Sequence, residues 1–69
     1  MRQFELATLM GLMLTFSNET DHGYIKQIYS FGGVEFVSDF HRTEEECQDE
    51  VARDFFRELE DMMYKHRNS

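Results

Sequence analysis

Sixty-nine residues with a net charge of −7 and no proline describe one small acidic domain. A chain of about 60 residues buries only about 60% of the surface its unfolded form exposes, and a single cysteine excludes an internal disulfide, so packing or association must supply the stability. The charge argues against direct binding to nucleic acid, which needs a basic patch to release counterions, and against an anionic membrane surface; it leaves a protein partner with a basic surface, including one that itself holds nucleic acid.

The N-terminus has the outline of a secretion signal, Met1-Arg2 followed by an apolar run from Leu6 to Phe16. Glu5 interrupts it and no small-residue cleavage site follows at Ser17-Asn18-Glu19. The run also falls short of the roughly 20 residues of a membrane span, so the expected compartment is the cytoplasm. Two periodicities compete in residues 3–17. Leu6, Leu9, Met10 and Met13 have helical spacing, whereas Phe4, Leu6, Met10, Leu12, Leu14 and Phe16 all occupy even positions. The even set favours a strand over about residues 10–17 and leaves residues 2–9 open between a helical turn and an extended lead-in.

Asn18 to Gly23 is a turn by composition. Two strands, 24–31 and 34–41, flank Gly32-Gly33, a strong two-residue hairpin signal. That turn pairs Phe31 with Val34, Tyr29 with Phe36, Gln27 with Ser38 and Ile25 with Phe40 on one face, and Lys26 with Asp39 on the other. Closing the 18–23 loop with Ser17 opposite Tyr24 pairs Phe16 with Ile25, Leu14 with Gln27, Leu12 with Tyr29 and Met10 with Phe31. The even-numbered apolar residues then share the hairpin's core face.

Residues 43–67 are the clearest helix. Thr43 and Glu46 spell a capping box. Three glutamates open the helix and Lys65, His66 and Arg67 close it, each complementing the dipole. Asp49 with Arg53 and Asp61 with Lys65 stand at i,i+4. Cys47, Val51, Phe55, Leu59 and Met62, with Ala52 and Met63 beside them, form one apolar stripe. The expected fold is therefore α+β: a three-stranded antiparallel β-meander packed on one long C-terminal α-helix, in a single domain over residues 1–69.

Chemistry-bearing motifs are sparse. His22, His41 and His66 stand in no recognisable nucleophile motif, and Cys47 with His41 is the one thiol–imidazole pair in reach. Such chemistry needs a water-shielded site with an oxyanion hole, which a domain this small hardly encloses. His41, Glu44 and Cys47 recur at three-residue intervals, but a closed zinc site wants a fourth ligand. The acidic run at Glu44 lacks the glycine of a calcium loop. No enzyme, metal or cofactor is expected.

Two contact surfaces remain. Met13, Ile28 and Val37 line up across the sheet's outer face in the register above, with Tyr24 and His41 near one end. Glu45, Glu46, Asp49 and Glu50, followed by Glu60 and Asp61, give the helix an acidic outer face, with Arg53 and Arg57 interleaved. Size, charge and missing motifs fit a small inhibitor that docks on a larger, nucleic-acid-handling protein, as phage-encoded antagonists of host defence or transcription do. The alternative is a homodimeric structural or assembly subunit that uses the outer sheet face.

Overall fold

A computed structural model describes residues 1–67. The order is α1 (Gln3–Met10), β1 (Met13–Glu19), β2 (Ile25–Phe31), β3 (Val34–Val37) and α2 (Glu44–Arg67). The strands form one antiparallel sheet in the order β1-β2-β3. The fold is the expected α+β meander, with α2 packed on β2 and β3 and α1 lying beside α2.

Residues 3–10 resolve the N-terminal ambiguity as helix, so Met10 ends a helix where a strand was expected to begin. Leu, Ala and Met favour this conformation. Gly11 stops it at φ 121°, where its N–H bonds the Thr8 carbonyl and that of Leu12 bonds the Ala7 carbonyl. The helix buries Ala7 and leaves Leu6, Leu9 and Met10 exposed.

The Gly32-Gly33 turn is as expected, with φ of 54° and 84°, the positive values a type I′ hairpin demands. Phe31 opposes Val34 and Tyr29 opposes Phe36. Beyond Val37 the ladder breaks, and a lone bridge pairs Ile25 with His41 in place of Phe40. The excursion lets the buried Ser38 hydroxyl accept from the Gln27 N–H at 2.9 Å. It also sends the Asp39 N–H to Glu50 at 2.9 Å. Lys26 consequently lies over the Phe40 ring, 5.4 Å from its centroid, rather than opposite Asp39.

The β1–β2 register differs from the expected one by three residues in its outer half. Ser17 opposes Gln27, Asn18 opposes Lys26 and Glu19 opposes Ile25. The reason lies in the turn. The Thr20 N–H bonds the Tyr24 carbonyl at 2.8 Å, so the reversal needs only Asp21 to Gly23 and the strand keeps Asn18 and Glu19. An odd shift inverts the side-chain faces. A bulge at Thr15, whose hydroxyl donates to the Ile28 carbonyl at 3.0 Å, then inverts them back. Leu14 therefore lies opposite Tyr29, while Phe16 lies opposite Ile28 on the far face.

The core is Ala7, Leu12, Tyr29, Val51 and Phe55, with Phe4, Phe31, Phe36, Phe56 and Leu59 packed against it. Phe55 is its hub: Phe31, Phe36 and Phe56 each meet its ring edge-to-face at 5.1–5.7 Å. Burial of Gln27 is matched by bonds: its amide receives the Tyr29 hydroxyl at 2.8 Å and donates to Ser17 and Glu44. Burial also pushes the Tyr29 phenol up. The apolar stripe of α2 is buried only in part. Cys47, Val51, Ala52 and Phe55 are buried, whereas Met62 and Met63 are 58% and 65% exposed.

Candidate protein-binding surfaces

The acidic face begins where α2 begins. Thr43 caps it, accepting the Glu46 N–H at 3.2 Å while its hydroxyl donates to the Glu46 carboxylate at 3.1 Å. Glu46 and Asp49 stand on the exposed side, but the carboxylates of Glu46, Asp49 and Glu50 and the carbonyl of Glu45 are engaged by other groups of the chain. Arg2 donates to Asp49 at 2.8 Å and to the Glu45 carbonyl at 3.4 Å. The expected partner of Asp49, Arg53, gives way to this long-range pair. Asp49 in turn holds the Arg2 guanidinium above its ordinary pKa.

Glu50 is the most engaged. One carboxylate oxygen takes both the Asp39 N–H at 2.9 Å and His41 Nε2 at 2.7 Å. The other His41 nitrogen lies 3.9 Å from Glu46. Burial works to raise the Glu50 pKa, but the bonds from His41 and from the Asp39 amide outweigh it and hold the group below its ordinary value. The carboxylates thus clasp the strand excursion to the helix, and Arg2, His41 and Arg53 break the face into small charged hollows. A continuous row of free negative charge does not form there.

The outer sheet face is built differently. Ile28 opposes Val37 as expected, but Met13 opposes Ser30. Phe16, opposite Ile28, takes the place predicted for Met13 in the row. Phe16 is 53% exposed, Val37 45% and Met13, one step along the same face, 66%. One end of this row carries the Lys26–Phe40 contact and a second stack, in which the Arg42 guanidinium sits 4.3 Å over the Tyr24 ring and donates to its hydroxyl at 2.9 Å. Phe16, Phe40 and Arg42 are the members that sequence reasoning missed. Their placement depends on the two ladder irregularities, at Thr15 and at Ser38–Phe40, and neither has a local signature.

The other sequence candidates do not converge. Cys47 turns inward and its thiol donates to the Ile25 carbonyl at 3.2 Å, while the His41 ring goes to Glu50. Among the described residues no cluster of three His, Cys, Asp or Glu side chains is arranged to hold a metal ion. No helix there is long and apolar enough to cross a membrane. Comparison with protein-family models, with curated proteins and with solved structures found no match to this chain.

Proposed function

We propose that this chain is a protein-binding module of the cytoplasm that acts by occlusion, docking its outer sheet face on a larger protein and blocking or bridging that protein's site as a small inhibitor does. The observation that carries this reading is the row Phe16, Ile28 and Val37, half-buried at Ile28 and exposed at Phe16 and Val37, flanked by Met13 on one side and by Phe40, Tyr24 and Arg42 on the other. Apolar centre and aromatic-plus-arginine rim is the composition of an interface hot spot. A rigid sheet presents it with little ordering cost.

The charge has a separate role. At −7 the chain as a whole attracts a basic partner, a nucleic-acid-handling protein among them, and speeds encounter without supplying the contact. Glu45, Glu46, Asp49 and Glu50 belong to this steering field. The two contributions separate kinetically: added salt slows association, whereas changes on the sheet face speed dissociation.

The test is capture of a partner from the source lysate by the tagged chain, followed by binding kinetics on that partner. Val37→Glu and Phe16→Glu, checked for fold by circular dichroism, are expected to raise the dissociation rate at least tenfold. Neutralising Glu45, Glu46 and Asp49 together, with Glu50 kept because it holds the Asp39–His41 excursion, is expected to lower only the association rate. Unchanged dissociation in both sheet variants overturns the assignment of the face. A dissociation rate governed by these three acids assigns the docking role to the helix.

A further inference from the structure

α2 is longer than the layer it covers. Its 24 residues span about 36 Å at 1.5 Å per residue, whereas the seven residues of β2 span about 23 Å. The distal helix therefore projects beyond the sheet. The apolar stripe continues along that projection, and with Phe31, Val34, Phe36 and Phe55 the residues Leu59 and Met62 form an open apolar groove beneath it. The excess shows in the dimensions of the whole chain. Its Cα radius of gyration is 13.1 Å, against about 11 Å for a compact domain of this length. Its accessible surface is 5130 Å², against about 4,600 Å² for a compact monomer of this mass. The surplus, about 530 Å², is about two-thirds of the roughly 800 Å² that each partner of a standard interface buries.

We infer that the occupant of this groove is the same helix of a second copy, packed antiparallel about a two-fold axis that crosses α2 midway between Leu59 and Met62. The assignment rests on the spacing of residues around the seam. Leu59 and Met62 are the seam positions, and a two-fold antiparallel pairing stacks Leu59 of each copy on Met62 of the other. The residues on one flank are then Glu58 and Lys65, seven apart and opposite in charge. Antiparallel packing sets each Glu58 beside the other copy's Lys65, giving two equivalent ion pairs. The opposite flank holds Phe56 and Met63, which meet their counterparts in the same way, and Met63 is 65% exposed in the single chain. A parallel arrangement would instead set Glu58 beside the other copy's Met63 and form neither ion pair. The charge pattern therefore selects the antiparallel self-pair. The axis lies at the far end of the helix layer from the clasp around Glu50, and the outer sheet face stays free, so this dimer is independent of the docking face proposed above.

The experiment is sedimentation equilibrium of the full chain across a concentration series, with three variants. The expected species is twice the chain's 8.3 kDa. Glu58→Lys and Lys65→Glu are each expected to weaken association roughly tenfold, because each turns two attractive contacts into two repulsive ones. The double variant Glu58→Lys with Lys65→Glu restores the pairs in reverse and is expected to restore the dimer. General charge repulsion predicts something else: Glu58→Lys, which moves the chain toward neutrality, strengthens association, and Lys65→Glu weakens it. Met62→Glu, at a position exposed in the single chain, is expected to give a folded monomer by circular dichroism. A wild-type monomer at every concentration overturns the inference. A dimer that tolerates either single charge swap, or that the double swap fails to restore, overturns the antiparallel seam.

Discussion

The two halves of α2 share one periodicity and have opposite fates. From Cys47 to Phe55 the stripe is closed to solvent, with every member at 1% exposure or less. Leu59 is still half-buried against the core, but beyond it the cover thins, and Met62, Met63 and Tyr64 are 58%, 65% and 70% exposed. Composition does not separate the halves. What separates them is the length of sheet beneath, since β3 ends after four residues and the ladder breaks at Val37. An amphipathic pattern states which face of a helix seeks cover; the neighbouring element decides how far the cover reaches.

The largest way to break this contrast is truncation in each half. Phe55→Ala removes the ring that three other aromatic rings contact, at a cost of about 3–5 kcal/mol. A chain of 69 residues has a total stability of roughly 3–10 kcal/mol, so this variant is expected to be largely unfolded by circular dichroism. Met62→Ala, measured by urea denaturation at a concentration where the chain is monomeric, is expected to stay within about 0.5 kcal/mol of the parent. A comparable loss from both substitutions would mean the distal half is covered after all.

Next in size is the polar seam beneath the proximal half. Gln27→Ala strips the Tyr29 hydroxyl of its acceptor and Ser17 and Glu44 of a donor, with an expected loss of about 1–3 kcal/mol in chemical denaturation. Thr43→Ala removes the cap that starts the proximal half and is expected to cost about 1 kcal/mol. Its signature is local: amide exchange should accelerate in the first turn of α2 and stay unchanged beyond Val51. Faster exchange throughout the helix would show that the cap and the core stripe act as one unit.

The smallest effect concerns the Glu50 clasp. The folded-state pKa of Glu50 lies below its ordinary 4.5, so its contribution is complete above that value and is lost as pH falls through the folded one. Glu50→Gln is expected to flatten the stability curve below pH 4.5 by roughly a few tenths of a kcal/mol, the solvent-screened scale for such a pair. An unchanged acid limb would place the acid sensitivity in other carboxylates.

Much of the architecture could be read from local signals. Thr43 with Glu46 marks the start of α2, and Gly32-Gly33 sets the β2–β3 hairpin and with it the Tyr29–Phe36 and Ile28–Val37 pairs. Candidate surfaces were legible only to the level of a face. Ile28 and Val37 stand where the hairpin turn puts them, but Met13 yields its place in the row to Phe16 because a shorter turn at Asp21–Gly23 shifts the strand and Thr15 bulges. The acids at Glu45, Glu46, Asp49 and Glu50 were legible as charges, while the groups that meet the last three come from outside the helix, Arg2 from the far end of the chain and His41 from the segment that follows β3.

By itself, then, the sequence determined the class of fold, the long helix and its inward stripe, and the tight β-hairpin. Each rests on contacts within a few residues, where capping groups, glycine φ angles and side-chain spacing act directly. Only the tertiary structure decided that residues 3–10 are helical, that Phe16 rather than Met13 completes the outer row, and that Met62 and Met63 stay exposed. Those outcomes depend on register and on the lengths of elements packed together, and one residue's slip in a ladder exchanges the two faces of a strand without altering any local preference.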